Sequence, residues 1–155
     1  MANSYTQIYI HYVFATRHRM RFLTADIEKE MHSYAAGLIK DLNCFLQSIG
    51  GIEDHIHILV GLHPTLAISE FAQKFKANTS RFINEKGWAS GKFQWQEGFG
   101  AFSVSQSGLE KVREYIRNQA EHHRRKSFPV EYEDLLTKYM IHYDRRYLFP
   151  PSSDT

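Results

Sequence analysis

One cysteine, Cys44, is the whole thiol content of this 155-residue chain. That excludes an intramolecular disulfide and any zinc site built from several cysteines. Cys44 follows Leu42 and Asn43, precedes Phe45, and reads as a core residue. No stretch approaches the roughly 18 consecutive apolar residues of a membrane span. The chain does not open on a basic-then-apolar run, so no signal peptide is expected and the expected location is cytoplasmic. Charge of one sign is scarce as well: the net charge is +2, which permits nucleic-acid binding without demanding it. Internal repeats and low-complexity segments are missing. What is present is 43% hydrophobic and 23% charged residues, the make-up of a folded chain with a real core. The length fits one domain, expected over residues 1–149, with residues 150–155 as a disordered tail.

The hydropathy pattern divides the chain into alternating strands and helices. Residues 6–16 alternate as a strand that is apolar on both faces, and a basic loop with Arg17, Arg19 and Arg21 follows. Thr24 offers an N-cap. Ile27, Met31, Tyr34, Ala35, Leu38, Ile39 and Leu42 then recur at helical spacing, and Asn43 ends the run. Residues 44–50 and 53–62 read as two strands, with Gly50-Gly51 placed at the hairpin turn. A second helix opens at Pro64-Thr65 and stops at Gly87. Residues 88–100 read as a long connection rich in Trp, Gly and Gln, and 101–105 as a fourth strand. A third helix follows, for which Ser107 and Glu110 form a candidate capping box. A short acidic helix near 130–139 comes last. The order β-α-β-β-α-β is the ferredoxin-like pattern. The expected class is therefore α+β, with helices on one sheet face and an added C-terminal helix that carries Tyr115.

Two short strings carry chemistry. In Asp54-His55-Ile56-His57-Ile58 the histidines are two apart, so on a strand both point to one face while Ile56 and Ile58 point to the other. Two imidazoles on one face can share a metal ion if a third ligand arrives from elsewhere. The same pair also fits half-exposed histidines facing a neighbouring element. The histidine-triad hydrolase pattern does not fit, because Leu59 stands where its third histidine belongs. On the later helix, Tyr115 and Gln119 are four apart and share a flank beside a buried stripe of Leu109, Val112, Ile116 and Ala120. A phenol beside a neutral oxygen ligand suits a nucleophile next to a cation. It also suits an amphipathic tyrosine at a core edge.

The combination resembles the single-tyrosine HUH transposases, the small insertion-sequence transposase A proteins that cut and rejoin single-stranded DNA. The likeness rests on the histidine pair and on Tyr115-x-x-x-Gln119. It extends to Tyr12-Val13-Phe14-Ala15-Thr16-Arg17, to residues 95–105, to Asn118-Gln119-Ala120-Glu121-His122-His123, and to Tyr143-Asp144-Arg145-Arg146-Tyr147-Leu148. It implies Tyr115 as the nucleophile and His55, His57 and Gln119 as ligands of a divalent metal that polarises the scissile phosphate. The product implied is a 5′-phosphotyrosine link with a free 3′-OH, which a different 3′-OH reverses without a nucleotide cofactor. Imidazole suits Zn or Mn and phosphate oxygens suit Mg or Mn; the resemblance points to Mg or Mn. A free phenol ionises near pH 10, so nearby positive charge is expected to favour the phenolate.

The resemblance further implies single-stranded DNA with imperfect hairpins as the partner. It also implies a homodimer whose tyrosine helix can dock in trans. Open sheet edges give the dimer a physical motive. Arg17, Lys74, Lys76 and Arg81 are the candidate phosphate contacts, with Lys74 and Arg81 seven apart on one helix face. As isolated features they also fit a solvated surface. Among the aromatics of residues 88–102, some belong to the core and one or two suit stacking on unpaired bases. Two other readings stay open. One is a non-catalytic ferredoxin-like nucleic-acid-binding module that treats the histidines as surface, although its basic-Gly-aromatic string is missing. The other is a domesticated relative that binds hairpins without mobilising them.

Overall fold

The computed structural model describes residues 4–149; the expected tail 150–155 lies outside them. Four strands form one antiparallel sheet in the order β2-β3-β1-β4: β1 (Tyr9–Ala15), β2 (Phe45–Ile52), β3 (His55–Gly61) and β4 (Gly100–Val104). The helices are α1 (Ala25–Asp41), α2 (Ile68–Lys86), α3 (Leu109–Arg117), α4 (Gln119–His122), α5 (Phe128–Lys138) and α6 (Arg145–Leu148). This is the expected α+β, ferredoxin-like arrangement. Strands β1 and β3 are central and buried almost throughout, because both sheet faces are covered.

Alternation assigns the faces. Ile10, Tyr12 and Phe14 of β1 join Ile56, Ile58 and Val60 of β3 in the main core, against Met31, Ala35 and Ile39 of α1 and Phe71, Phe75 and Ile83 of α2. Tyr12 stacks on Phe71 with centroids 4.7 Å apart, and Phe14 on Phe75 at 5.1 Å. Each such ring contributes about 1.5–3 kcal/mol by leaving water. Cys44 is buried in this core, as expected. Asn43 at φ 59° and Gly87 at φ 70° supply the left-handed residues that end α1 and α2. Opposite side chains of the central strands, among them His11, Val13, His55 and His57, face the second layer formed by α3, α4 and α5. Among the described residues no helix is long and apolar enough to cross a membrane.

Three local expectations are corrected. The hairpin turn is Glu53-Asp54, and Gly50-Gly51 lies inside β2. The physical reason is close approach: a Cβ on Gly50 would sit 2.6 Å from the Ile116 carbonyl oxygen of α3, and one on Gly51 would sit 2.2 Å from the His55 carbonyl oxygen. Gly50 lets a helix lie on the strand and Gly51 lets the backbone of β3 come close, so neither is spent on turning the chain. The Ser107–Glu110 capping box does not form: residues 106–108 are a 3-10 turn, Ser107 pairs with the Ser105 hydroxyl, and Glu110 pairs with Arg113. The tyrosine helix also breaks at Asn118, whose φ of −97° and ψ of 23° end α3. The break turns Ala120 outward and Gln119 inward, so Gln119 is buried and Ala120 exposed.

Candidate active site

Strand pairing fixes the floor of the site. In β3, His55 lies opposite Ala15 and His57 opposite Val13 of β1, small residues that leave room above the sheet. Both histidines are fully buried, so the reading that treats them as surface is corrected. The reason is the second helical layer: Phe128 of α5 stacks on the His55 ring at 3.9 Å, and Tyr115 of α3 meets His57 edge-on at 5.5 Å.

The predicted residues converge within one chain. His55 Nε2 donates to Gln119 Oε1 at 2.9 Å. The Tyr115 hydroxyl sits in the same cluster, and the tyrosine helix covers its own chain's β2 and β3. Within this one chain the absent Cβ of Gly50 gives α3 room to lie over the histidines.

At the centre stands a residue that the sequence reading missed, Glu131 of α5, 4% exposed. Its Oε1 lies 3.1 Å from His57 Nε2, 3.1 Å from His123 Nε2 and 3.3 Å from His55 Nε2. Its Oε2 accepts from Gln119 Nε2 at 3.0 Å and from the Tyr115 hydroxyl. The signal was legible in principle: Glu131 falls on the apolar stripe of its helix, three residues after Phe128 and four before Leu135. A carboxylate on a buried stripe needs partners. His55, His57 and Glu131 bring three ligand atoms within 4.8 Å of one another.

Outer hydrogen bonds orient the two histidines. His55 Nδ1 donates to Asp54 Oδ1 at 2.8 Å, and His57 Nδ1 lies 2.8 Å from Nε2 of the buried His11. Protonation follows. Burial pulls the His55 pKa down, but hydrogen bonds to Asp54 and Glu131 outweigh it and raise it to about 9. Burial dominates at His57 and lowers it to about 4. His11 is lowered well below its ordinary value, first by burial and then by His57. For Glu131 burial opposes ionisation, yet the hydrogen bonds from His123, His55 and His57 hold its carboxyl well below the usual range. Burial and then the Glu131 charge push the Tyr115 phenol up. The expected positive charge beside the nucleophile is thus replaced by a carboxylate.

The donor set suits a divalent cation: two imidazoles, a carboxylate and an amide oxygen. Tyr115, His123 and Glu131 also line a pocket of about 550 Å³ whose wall carries Arg125, Lys126 and Lys138.

The four candidate phosphate contacts lie elsewhere. Arg17 and Lys76 line a groove of about 810 Å³ with His18, Gln73, Lys92 and Gln94. His18 and Arg19 in its basic loop sit at φ 58° and 53°, a strained conformation for side-chain-bearing residues. Arg17 reaches Gln94. Lys76 is half-buried and donates to the carbonyl oxygens of Gln96, at 2.8 Å, and Gly98. It therefore anchors residues 96–98 as well as facing the groove. Lys74 and Arg81 are exposed on α2, where Arg81 donates to Asn78 Oδ1 at 2.7 Å. Of the aromatics between 88 and 102, Phe93, Trp95 and Phe102 are buried in the core, while Phe99 is 37% exposed.

The sequence profile of the family described as "Transposase IS200 like" matches residues 4–119. Two solved structures share the fold. One is a proposed transposase from Deinococcus radiodurans R1, 20% identical, covering 77% of this chain and 96% of its own at a TM-score of 0.60. The other is a REP-associated tyrosine transposase bound to a REP hairpin, 12% identical, covering 100% of this chain and 94% of its own at a TM-score of 0.61. A search of curated protein sequences finds no match.

Proposed function

The chain belongs to the IS200-like transposase family, and from that premise we propose that it nicks and rejoins single-stranded DNA through a 5′-phosphotyrosine intermediate on Tyr115. One observation carries the reading: Tyr115, Gln119, His55, His57 and Glu131 converge in a single buried cluster beside an open pocket.

His55, His57 and Glu131 would hold a divalent cation, Mg or Mn, with Gln119 Oε1 as a further oxygen ligand. When bound, such an ion supplies Lewis-acid polarisation of the scissile phosphate and offsets the Glu131 charge beside the phenol. The remaining work falls to the chain. Residues of α3 and α4 hold Tyr115 against the cluster, and Phe128 and Phe102 keep water from the floor. Arg125 and Lys138 at the pocket wall offer positive charge to DNA phosphates that enter the pocket. In cleavage the Tyr115 Oη–P bond forms and the P–O3′ bond breaks; the phenolic proton passes to water and the 3′-oxygen takes one from water. Joining is the reverse with a different 3′-OH.

The DNA partner is read as a single strand carrying imperfect hairpins, as the hairpin-bound relative suggests. Arg17, Lys74, Lys76 and Arg81 are proposed as its phosphate contacts, Lys76 through a partly engaged ammonium. A homodimer through the open edges β2 and β4 is part of the proposal, with the tyrosine helix in cis. The site of action is proposed to be cytoplasmic. The test is incubation of labelled single-stranded hairpin DNA with protein, with and without Mn²⁺. Cation-dependent nicking is expected. Hairpin binding without any cleavage would favour the non-catalytic or domesticated reading instead.

A further inference from the structure

His11 has no task in the proposed chemistry, yet it is 2% exposed on the face of β1 that carries the site. Its ring lies 5.0 Å from His57 and is walled by Phe102 at 5.9 Å and Tyr115 at 6.2 Å. A buried imidazole among aromatic rings is costly unless it is hydrogen-bonded. Its Nε2 spends that bond on His57 Nδ1, at 2.8 Å. The two histidines of the pair are thus held differently. His55 Nδ1 faces the Asp54 carboxylate, which only accepts. His57 Nδ1 faces a neutral imidazole, which can donate or accept according to its tautomer.

We propose that His11 is a positioning residue that keeps His57 aimed at the cation site in both its metal-free and its metal-bound states by reversing the direction of one hydrogen bond. The proposal rests on the metal reading above. In the metal-free state His57 gives its Nε2–H to Glu131 Oε1 at 3.1 Å. A neutral His57 then has only a lone pair at Nδ1, so His11 Nε2–H donates to it. With His57 Nε2 given over to a cation, the ring proton sits on Nδ1 and donates, and His11 accepts at Nε2 with its own proton on Nδ1. The His11 Nε2 proton crosses the 2.8 Å bond to His57 Nδ1, the His57 Nε2 proton leaves to solvent as the cation takes its place, and His11 Nδ1 takes one proton from solvent, so each ring keeps one proton. A carboxylate at position 11 would serve only the second state, and a phenyl ring neither.

The test compares His11→Phe, which fills the space, with His11→Gln, whose amide can donate or accept. In wild-type metal-free protein, ¹⁵N NMR should detect coupling across the bond between His11 Nε2 and His57 Nδ1. Titration with Mn²⁺ followed by electron paramagnetic resonance should give His11→Phe an affinity about 10–100-fold weaker than wild type, with His11→Gln recovering most of the loss. A residue that merely filled the core would lower the melting temperature and leave Mn²⁺ affinity alone. Equal Mn²⁺ affinity of His11→Phe and wild type, or no rescue by Gln, overturns the proposal. Wild-type protein that takes up no Mn²⁺ refutes the metal reading instead. The coupling in metal-free protein then decides the pairing by itself, and its absence overturns it.

Discussion

Replacing Glu131 with alanine removes the acceptor at the centre of the site. Three imidazole Nε2 atoms, the Gln119 amide and the Tyr115 hydroxyl all point at this one carboxylate. In the metal-free protein His55 donates from both ring nitrogens, to Asp54 and into the Glu131–Gln119 cluster. It therefore carries a positive charge at 0% exposure. Losing one partner of a buried ion pair costs about 3–5 kcal/mol, a large share of the roughly 5–15 kcal/mol that holds a domain together. For a chain of this size each kcal/mol moves the melting temperature by about 2–4 °C, so Glu131→Ala should melt roughly 6–20 °C lower. Glu131→Gln keeps a carbonyl acceptor and should lose less, about 1–3 kcal/mol. The assay is thermal unfolding at pH 7 followed by circular dichroism, without metal and across a Mn²⁺ titration. Saturating Mn²⁺ should raise the wild-type melting point by linkage, about 2.7 kcal/mol at a hundredfold excess over Kd, and both variants should gain less. A Glu131→Ala protein that melts within about 2 °C of wild type, and gains as much from Mn²⁺, would refute the central place given to this carboxylate.

Further outcomes follow from the same geometry. His57 is held down to about 4, so its contribution to stability is full above pH 6.5 and lost as pH falls through 4. His55 is held up to about 9, so its contribution is full below pH 6.5 and lost as pH rises through 9. The melting temperature of metal-free protein should thus peak near pH 6.5, and Asp54→Asn should flatten the alkaline fall; a steady rise from pH 4 to 9 would contradict the sign given for His55, and a steady fall the sign given for His57. Gly50→Ala places a Cβ 2.6 Å from the Ile116 carbonyl oxygen, which should cost about 1–3 kcal/mol and reduce nicking more than hairpin binding; unchanged nicking would show that α3 does not need this close approach. Lys74→Ala or Arg81→Ala should weaken binding equally across hairpin sequences and lower the salt slope by about one. Loss for one hairpin and not for scrambled ones would make the residue a base reader.

Much of the sheet was legible because its strands alternate cleanly. Ile56, Ile58 and Val60 against His55 and His57 fixed the two faces of β3, and the spacing of Met31, Ala35 and Ile39 fixed the buried side of α1. Gly50-Gly51 misled because a glycine pair at a strand end has the same appearance whether it turns the chain or admits a helix. The helix whose approach requires it lies more than sixty positions later in the chain. Ser107 and Glu110 matched a capping pattern that the 3-10 turn at 106–108 pre-empted. At the site, spacing alone paired His55 with His57 and Tyr115 with Gln119. His11 was hidden because it looks ordinary on β1, while Glu131 showed only as a carboxylate on an apolar stripe; the packing of α5 and β1 around β3 is what supplies their partners. The break at Asn118, which turns Gln119 inward, is a backbone event with no glycine or proline to announce it.

The central claim is that Tyr115 becomes covalently joined to DNA. Wild-type protein and Tyr115→Phe are incubated with 5′- or 3′-labelled single-stranded hairpin DNA and Mn²⁺, resolved on a denaturing gel, and the adduct is mapped by mass spectrometry. The account predicts a slow-migrating adduct that retains the 3′ label, with the DNA 5′-phosphate on the Tyr115 peptide. It also predicts no adduct from Tyr115→Phe, whose hairpin binding stays near wild type. A persisting adduct in Tyr115→Phe, or one mapped to Tyr132 or Tyr139, would contradict it.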